Sequence, residues 1–144
     1  ETDHVLLKPM PNLATDTEAA AHSFGYMHAS SRHDHVVHYC WPEGDASHLQ
    51  PIGPSPLIIK KKLLAAVAEK WLACSYTLRG RPEPAQIIQD WVLEMWAYAI
   101  AAASIGIRHK VMILQVEPNA YAHTPADFPR TAREYIFHYT YGIE

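Results

Sequence analysis

One stretch of this chain, residues 84–104, constrains the fold more than any other part of the sequence. Its 3.6-residue periodicity predicts a helix, with proline acceptable in the first turn and Gly106 ending the pattern. Apolar residues cover nearly every face of this helix, so we expect it to be long and buried. Its charged side chains between residues 86 and 104 are Asp90 and Glu94, which are four residues apart and share one face.

The two carboxylates have two interpretations that the residues leave open. A buried carboxylate is costly unless it is paired, hydrogen-bonded or faces a site. In the functional interpretation, Asp90 and Glu94 face a catalytic or binding site. In the structural interpretation, one of them caps the helix N-terminus and the other bonds to a neighbouring Lys, Arg or Tyr.

The composition is that of one folded domain with a real core. The 144 residues are 49% hydrophobic and 19% charged, with a formal net charge of −3. That charge argues against a general nucleic-acid binder, which needs a basic excess. The most apolar stretch of the chain, residues 91–107, is short for a membrane span of roughly 20 residues and is interrupted by Glu94. Cys40 and Cys74 allow at most one internal disulfide and do not fix the redox compartment.

Short strands and one further helix are predicted elsewhere, which favours an α/β or α+β fold. Leucines, Val67 and Trp71 at spacings of three and four predict a helix over residues 60–72. The lysines at its start favour a solvated helix face over a phosphate site. Thr15 or Asp16 is a plausible cap for one helical turn. Strand signals occur at residues 5–7, 57–59, 107–116 and 135–141, and strand propensity also occurs at 36–39.

The first candidate metal site lies at the start of the chain. Glu1 and Asp3 are two residues apart, so in an extended segment their side chains project to the same side. Together they can hold a hard divalent cation through oxygen ligands. The spacing alone is weak evidence, because many surface strands carry such a pair.

A second candidate metal site is a group of histidines followed by a cysteine. His33, His35, His38 and Cys40 are residue types that bind zinc. Their spacing matches no strong zinc pattern, which favours histidines on a surface loop and an edge strand that bind no metal.

Aromatic and polar residues alternate near the end of the chain, around His138. Such alternation is typical of a half-buried strand in which a lone histidine is hydrogen-bonded. The same aromatic faces can line a groove for an extended, proline-rich ligand.

Several motifs, taken in order, resemble the plant and green-algal hydroxyproline O-arabinosyltransferase and peptidyl-serine α-galactosyltransferase families. The segments that carry the resemblance are Glu-Thr-Asp-His-Val at 1–5, Lys-Pro-Met-Pro-Asn-Leu-Ala at 8–14, Pro-Ile-Gly-Pro-Ser-Pro-Leu-Ile-Ile at 51–59, Trp-Val-Leu-Glu-Met-Trp-Ala-Tyr-Ala at 91–99 and Phe-His-Tyr-Thr-Tyr-Gly at 137–142. Residues 22–48 and 119–133 match poorly.

The resemblance implies an enzyme with a glycosyltransferase-A-like fold of short mixed strands and a long buried helix. Such an enzyme transfers a sugar, arabinofuranose or galactose, from a UDP-sugar to hydroxyproline or serine of cell-wall-type glycoproteins, with retention. It implies a type II membrane protein of the Golgi or endoplasmic reticulum lumen in the full-length form. The alternative is a non-catalytic module that keeps the fold and binds a glycoprotein or a metal.

The resemblance also implies roles for individual residues. Glu1 and Asp3 match the position of a degenerate Asp-x-Asp motif that holds Mn²⁺, and His138 fits the late histidine that completes the metal shell. Glu94 matches the acidic residue facing the acceptor and the sugar, with Asp90 on the same helix face. Because the implied acceptor is rich in proline or hydroxyproline, an aromatic groove is expected, with four candidates: Trp96, Tyr98, Tyr139 and Tyr141.

Some positions depart from the family pattern. Thr2, Gln50 and Pro54 stand where the family usually has proline, an acidic residue and asparagine, which leaves the donor-sugar preference open. In such enzymes an Asp-x-Asp strand normally follows a nucleotide-binding half. We therefore expect residues 1–144 to form a single partial domain, the C-terminal half of the catalytic domain, without that nucleotide-binding half.

Overall fold

Two three-stranded sheets are present in the computed structural model, which describes residues 4–116 and 133–138. The strands are β1 (His4–Leu6), β2 (Glu18–Ser23), β3 (Ile52–Ile58), β4 (Arg108–Met112), β5 (Gln115–Val116) and β6 (Ile136–His138). One sheet has the order β1-β6-β5 and the other the order β3-β2-β4. Strands are therefore confirmed in all four segments where the sequence most strongly predicts them.

The central strand β2 is built from small residues. Ala19, Ala20 and Ala21 are fully buried, and β2 pairs antiparallel with β3 and parallel with β4. This order leaves β3 at an edge, which explains how it tolerates Pro54 and Pro56. In the other sheet, β6 pairs antiparallel with β1 and parallel with β5.

Four α-helices lie in the described part of the chain. They are α1 (Asp34–His38), α2 (Lys61–Arg79), α3 (Pro82–Ile88) and α4 (Leu93–Ser104). Helix α2 packs against α4, and α4 packs against β3. The fold is therefore mixed α/β, as the sequence predicts, and α4 is the buried element at its centre, with every residue from 95 to 102 buried.

The single long helix predicted over residues 84–104 is wrong, because the structure breaks it. Helix α3 ends at Ile88, and Gln89 has φ 68° and ψ 138°, a conformation that no right-handed helix accommodates. A 3₁₀ turn over Asp90–Val92 follows, and α4 begins at Leu93. The C-terminal end is as predicted, since Gly106 follows α4 with φ 75°.

Helix α2 begins where the sequence predicts but continues seven residues further, to Arg79. Lys61 and Lys62 are exposed, as expected for a solvated face, and Lys60 lies 3.7 Å from the carboxylate of Asp16. The extension turns the buried side of the helix, including Cys74 and Leu78, toward α4 and the core.

Two local predictions are wrong for identifiable reasons. The segment around Val36 and Val37 is helix α1 and not a strand, and the two fully buried valines pack into the core beside Trp96 and Leu93. No helical turn begins at Thr15. Its hydroxyl accepts the N–H of Glu18 at 2.9 Å and leads the chain into β2.

Candidate active site

A cavity of about 300 Å³ lies where β1 and β6 meet β3 and the start of α4. Its lining combines titratable or polar groups with aromatic ones: His4, Phe24, Tyr26, Pro54, Ser55, Trp91, Glu94, Met95, Gln115 and His138. The cavity thus brings together Glu94 and His138, two residues predicted to act at one site although they are 44 positions apart in the sequence.

Three histidines cluster at the sheet side of this cavity. The register of β1 and β6 pairs His4 with His138, and their rings meet edge to face at 4.7 Å. His22 on β2 accepts the N–H of Leu114 at its Nδ1 atom, at 3.0 Å. Burial, together with the nearby His138 and His4, lowers the pKa of His22 to about 4. His22 is therefore neutral near pH 7 and places no positive charge behind His4 and His138.

Gln115 connects β5 to His138. Its Nε2 atom lies 3.0 Å from His138 Nδ1, and its Oε1 atom is the one buried side-chain polar atom without a hydrogen bond in the part of the chain that the structure describes. A half-turn of the amide places Oε1 at His138 Nδ1 instead, where it accepts the ring N–H. In that arrangement Nε2 of His138 presents its lone pair, which is how a metal-ligating histidine is normally held.

Glu94 and Asp90 both contact one guanidinium, that of Arg79 at the end of α2. The Glu94 Oε2 atom lies 3.3 Å from Arg79 Nη2, and Asp90 Oδ1 lies 3.6 Å from Nη1. Neither carboxylate is buried, since their side chains are 44% and 75% exposed. The structure does not bring Asp90 to the cavity, because the helix break leaves it on the 3₁₀ turn, whereas Glu94 lines it.

The structural interpretation holds in part: no carboxylate side chain caps α4, whose N-cap is Val92, but Glu94 bonds to a neighbouring arginine. Glu94 also lies in the first turn of α4, where a negative charge complements the helix dipole. Geometry alone therefore leaves Glu94 with a structural role and a place in the cavity.

Trp96 and Tyr98, two of the predicted groove aromatics, are buried and do not line the cavity. Trp96 is 3% exposed in the core beside His33, and Tyr98 is fully buried against Trp71. Tyr98 is enclosed in the core, so the prediction that it lines an aromatic groove is wrong, whereas Trp96 borders a smaller cavity next to Trp91.

The exposed aromatic residues that line the cavity are Tyr26 and Trp91, which the sequence analysis did not single out as groove candidates. Trp91 is 57% exposed, and its indole N–H donates to Gln89 Oε1 at 2.7 Å. Trp91 lies on the 3₁₀ turn that follows the break at Gln89, outside the buried helix that the sequence predicts, and its side chain is exposed there. No local signal for Gln89 was available, because glutamine rarely adopts positive φ.

The alternative metal site at His33, His35, His38 and Cys40 is not formed. Cys40 is bonded to Cys74 in a disulfide, so it offers no thiolate to a metal. Within residues 4–116 and 133–138, no three His, Cys, Asp or Glu side chains are arranged to hold a metal ion. The remaining predicted site residues, Glu1, Asp3, Tyr139 and Tyr141, lie outside the described residues.

The sequence of the chain matches a known protein family. A family model described as the hydroxyproline O-arabinosyltransferase family N-terminal domain matches residues 1–111. The chain belongs to the hydroxyproline O-arabinosyltransferase family, as its motifs predict. The match is to an N-terminal domain, so the expectation that the chain is the C-terminal half of a catalytic domain is wrong.

Curated relatives match the whole chain. It is 38% identical to the hydroxyproline O-arabinosyltransferase RDN2 of Medicago truncatula, 36% to NOD3 of Pisum sativum and 38% to hydroxyproline O-arabinosyltransferase 3 of Arabidopsis thaliana. It spans 38%, 41% and 38% of their respective lengths, or about two fifths. No solved structure matches the chain. None of the described helices has the length and apolar character needed to cross a membrane.

Proposed function

We propose that this chain is part of a retaining glycosyltransferase that moves a sugar from a UDP-sugar to a hydroxyproline or serine of a protein acceptor. The observation that carries the proposal is the cavity shared by Glu94 and His138 in a member of this family. The relatives are named hydroxyproline O-arabinosyltransferases, which favours arabinose over galactose and hydroxyproline over serine.

The proposed fold context is a glycosyltransferase-A-like domain of which residues 1–144 are a part. The mixed sheet around β2, with a parallel neighbour and a buried helix packed behind it, is compatible with such a domain. A nucleotide-binding half in the same protein completes the site in this proposal.

Glu94 is the proposed catalytic group of the cavity. Its carboxylate orients the acceptor hydroxyl or stabilises positive charge on the sugar, and the arginine contact at one oxygen holds the side chain in place. Asp90 shares that arginine but lies on the exposed turn, so we assign it no contact with the substrates.

A Mn²⁺ ion held by Glu1, Asp3 and His138 is the proposed cofactor. His138 fits this role because its ring is oriented from Nδ1 by Gln115, and because its partner in the register, His4, directly follows Asp3 in the chain. When bound, the ion supplies Lewis-acid neutralisation of the UDP diphosphate. Oxygen and imidazole ligands suit Mn²⁺.

The proposed location is the lumen of the Golgi or endoplasmic reticulum, with the full-length enzyme a type II membrane protein. The disulfide between Cys40 and Cys74 supports this, because such bonds persist in oxidising compartments.

The decisive experiment compares Glu94→Gln with Asp90→Asn in the full-length protein. UDP release is measured with UDP-arabinofuranose and UDP-galactose as donors, and with hydroxyproline-, proline- and serine-containing peptides as acceptors. We expect Glu94→Gln to slow transfer at least ~100-fold and Asp90→Asn to change it by less than about threefold. Because both variants lose a carboxylate at Arg79, equal losses in the two would make Glu94 structural.

The same assay decides between enzyme and non-catalytic module. Folded wild-type protein that binds peptide but releases no UDP with either donor would indicate the non-catalytic module. Release with one donor identifies the sugar, and release with one acceptor identifies the residue modified.

The metal is tested at His138. We expect chelation to abolish UDP release and Mn²⁺ to restore it, and His138→Ala to raise the Mn²⁺ concentration for half-activity at least ~10-fold. His22→Gln is the matched control, because His22 lies in the same cluster and does not line the cavity. An unchanged Mn²⁺ titration in His138→Ala would leave His138 as a strand residue.

A further inference from the structure

Two exposed aromatic residues stand at the rim of the proposed catalytic cavity. Trp91 and Tyr26 are 57% and 51% exposed, and their ring centroids are 4.9 Å apart. Tyr26 in turn packs on the buried Phe24, with 5.3 Å between the ring centroids, and Phe24 connects Tyr26 and Trp91 to the core. Large aromatic side chains that are partly exposed at the rim of a cavity are typical of ligand contact.

The same two residues also line a second, smaller cavity of about 120 Å³ on the other side of Trp91. Its polar lining residues include His28, Arg32 and Gln89. Arg32 uses its Nε atom toward His33, at 3.2 Å, and its guanidinium carries further N–H donors. The aromatic pair is therefore bordered by a carboxylate-containing cavity on one side and by hydrogen-bond donors on the other.

Gln89 holds Trp91 in this position by two means. Its backbone, at φ 68° and ψ 138°, ends α3 and turns the following residues away from the helix axis. Its side-chain Oε1 accepts the indole N–H of Trp91 at 2.7 Å. A strained backbone at a non-glycine residue persists only where its surroundings determine it, and such residues concentrate at functional sites.

We propose that Trp91 and Tyr26 form the contact surface for the pyrrolidine ring of the acceptor, and that Gln89 is the residue that positions Trp91 for this contact. This inference rests on the proposed function. It extends that function by naming the residues that select the acceptor.

The chemistry of a proline-rich acceptor fits this surface on both sides. A polyproline II chain presents flat rings to aromatic faces, and its carbonyls have no internal hydrogen bonds. The ring stacks on Trp91 and Tyr26, its hydroxyl points toward Glu94, and neighbouring carbonyls accept hydrogen bonds from Arg32 and His28. We assign the surface to the acceptor and not to the UDP-sugar, because the repeated rings and the backbone carbonyls of a polyproline II chain match both sides of the surface at once.

The test separates acceptor binding from donor use in the full-length protein. Three quantities are measured: the peptide KM, kcat, and UDP release without peptide. The variants are Trp91→Ala and Trp91→Phe. Tyr76→Ala is the control, because Tyr76 is 73% exposed on α2 and lines neither cavity. We expect Trp91→Ala to raise the peptide KM at least ~10-fold, Trp91→Phe to raise it less, and acceptor-independent UDP release to change less than twofold in all variants. An unchanged peptide KM in Trp91→Ala would overturn the inference.

Gln89 is tested by substitution and rescue. Gln89→Gly loses the bond to the indole but tolerates the positive φ, so we expect a raised peptide KM without a lower melting temperature. Gln89→Glu keeps an oxygen acceptor for the indole and should restore a near wild-type KM. A wild-type KM in Gln89→Gly would show that Gln89 does not position Trp91.

Direct peptide binding distinguishes failure of this inference from failure of the proposed function. Calorimetric titration of a hydroxyproline-containing peptide is expected to show binding by the wild type and at least ~10-fold weaker binding by Trp91→Ala. Binding of this kind without turnover would refute the enzyme and keep the surface. Turnover with unchanged binding in Trp91→Ala would refute the surface and keep the enzyme. Absence of both would refute both.

Discussion

Single residues decide how protons are distributed in the core, and His109 on β4 is the clearest case. The buried Tyr98 hydroxyl donates to His109 Nε2 at 2.8 Å, and His109 Nδ1 faces Gln50 Oε1 at 3.3 Å. Burial lowers the pKa of His109 to about 4 and raises the pKa of Tyr98. Both hydrogen bonds require a neutral imidazole with its proton on Nδ1.

This environment predicts that the folded state loses stability in mild acid. The unfolded chain binds a proton at His109 below about pH 6.5, whereas the folded chain does so only near pH 4. Stability should therefore fall by roughly 1 kcal/mol per pH unit between those values and level off below about pH 4. His22, with its pKa also lowered to about 4, adds to the same decrease.

Urea denaturation at about pH 7.5 and about pH 5 measures the effect. His109→Gln should reduce the dependence on pH, and His48→Gln, at an exposed residue near the same network, should not. The same slope in wild type and His109→Gln would contradict the assignment of the protonation to His109.

The aromatic residues show how far residue-level prediction from sequence reaches. The motif around residues 91–99 identifies Glu94 as a cavity residue, but it does not separate exposed Trp91 from buried Trp96 and Tyr98. That difference depends on the backbone of Gln89, which no pattern of side chains reveals.

At the scale of elements, the contact between β3 and α4 shapes the cavity floor. Gly53 of β3 faces Met95 of α4, and a Cβ at position 53 would overlap the Met95 methyl group and lie 3.3 Å from Phe24 Cε2. Phe24 and Met95 both line the cavity. The absence of a side chain at Gly53 thus leaves room for the Met95 methyl group beside Phe24.

Gly53→Ala should destabilise the protein by about 1 kcal/mol or less, because the added methyl displaces the flexible end of the Met95 side chain and not the backbone. Gly25→Ala is the control, since a Cβ there meets nothing within 4 Å. Denaturant midpoints measure both variants. The double change Gly53→Ala with Met95→Ala should cost less than the sum of the single changes, and additive costs would refute the contact.

At the scale of the whole molecule, the disulfide joins the segment after α1 to the middle of α2. Cys40 and Cys74 are 34 residues apart, and the intervening chain contains all of β3. The bond therefore ties the helical side of the fold to the turn-rich segment that leads into the edge strand.

Removing this bond by the paired change Cys40→Ser and Cys74→Ser should lower the free energy of unfolding by about 3–4 kcal/mol, as expected for a closed loop of this length. The free energy of unfolding of the wild type in dithiothreitol should match that of the variant. Thiol titration of the denatured wild type without reductant should find no free thiol. Equal midpoints with and without reductant, in protein shown to be reduced, would contradict a stabilising role.

The sequence by itself determined the elements whose signals are local. Apolar periodicity predicted α2 and the buried helix, alternation and β-branched residues predicted the strands, and ordered motifs predicted the family. These properties depend on neighbouring residues along the chain, which is why they can be read without the fold.

Only the tertiary structure decided which of these residues meet. The cavity gathers residues 4, 94 and 138 because β1 pairs with β6, which sets His4 beside His138, and the first turn of α4 lines the same cavity. The break at Gln89, the outward turn of Trp91 and the Cys40–Cys74 pairing likewise depend on packing between distant segments. Contacts of this kind are selected by the free energy of the whole fold, and local propensity does not encode them.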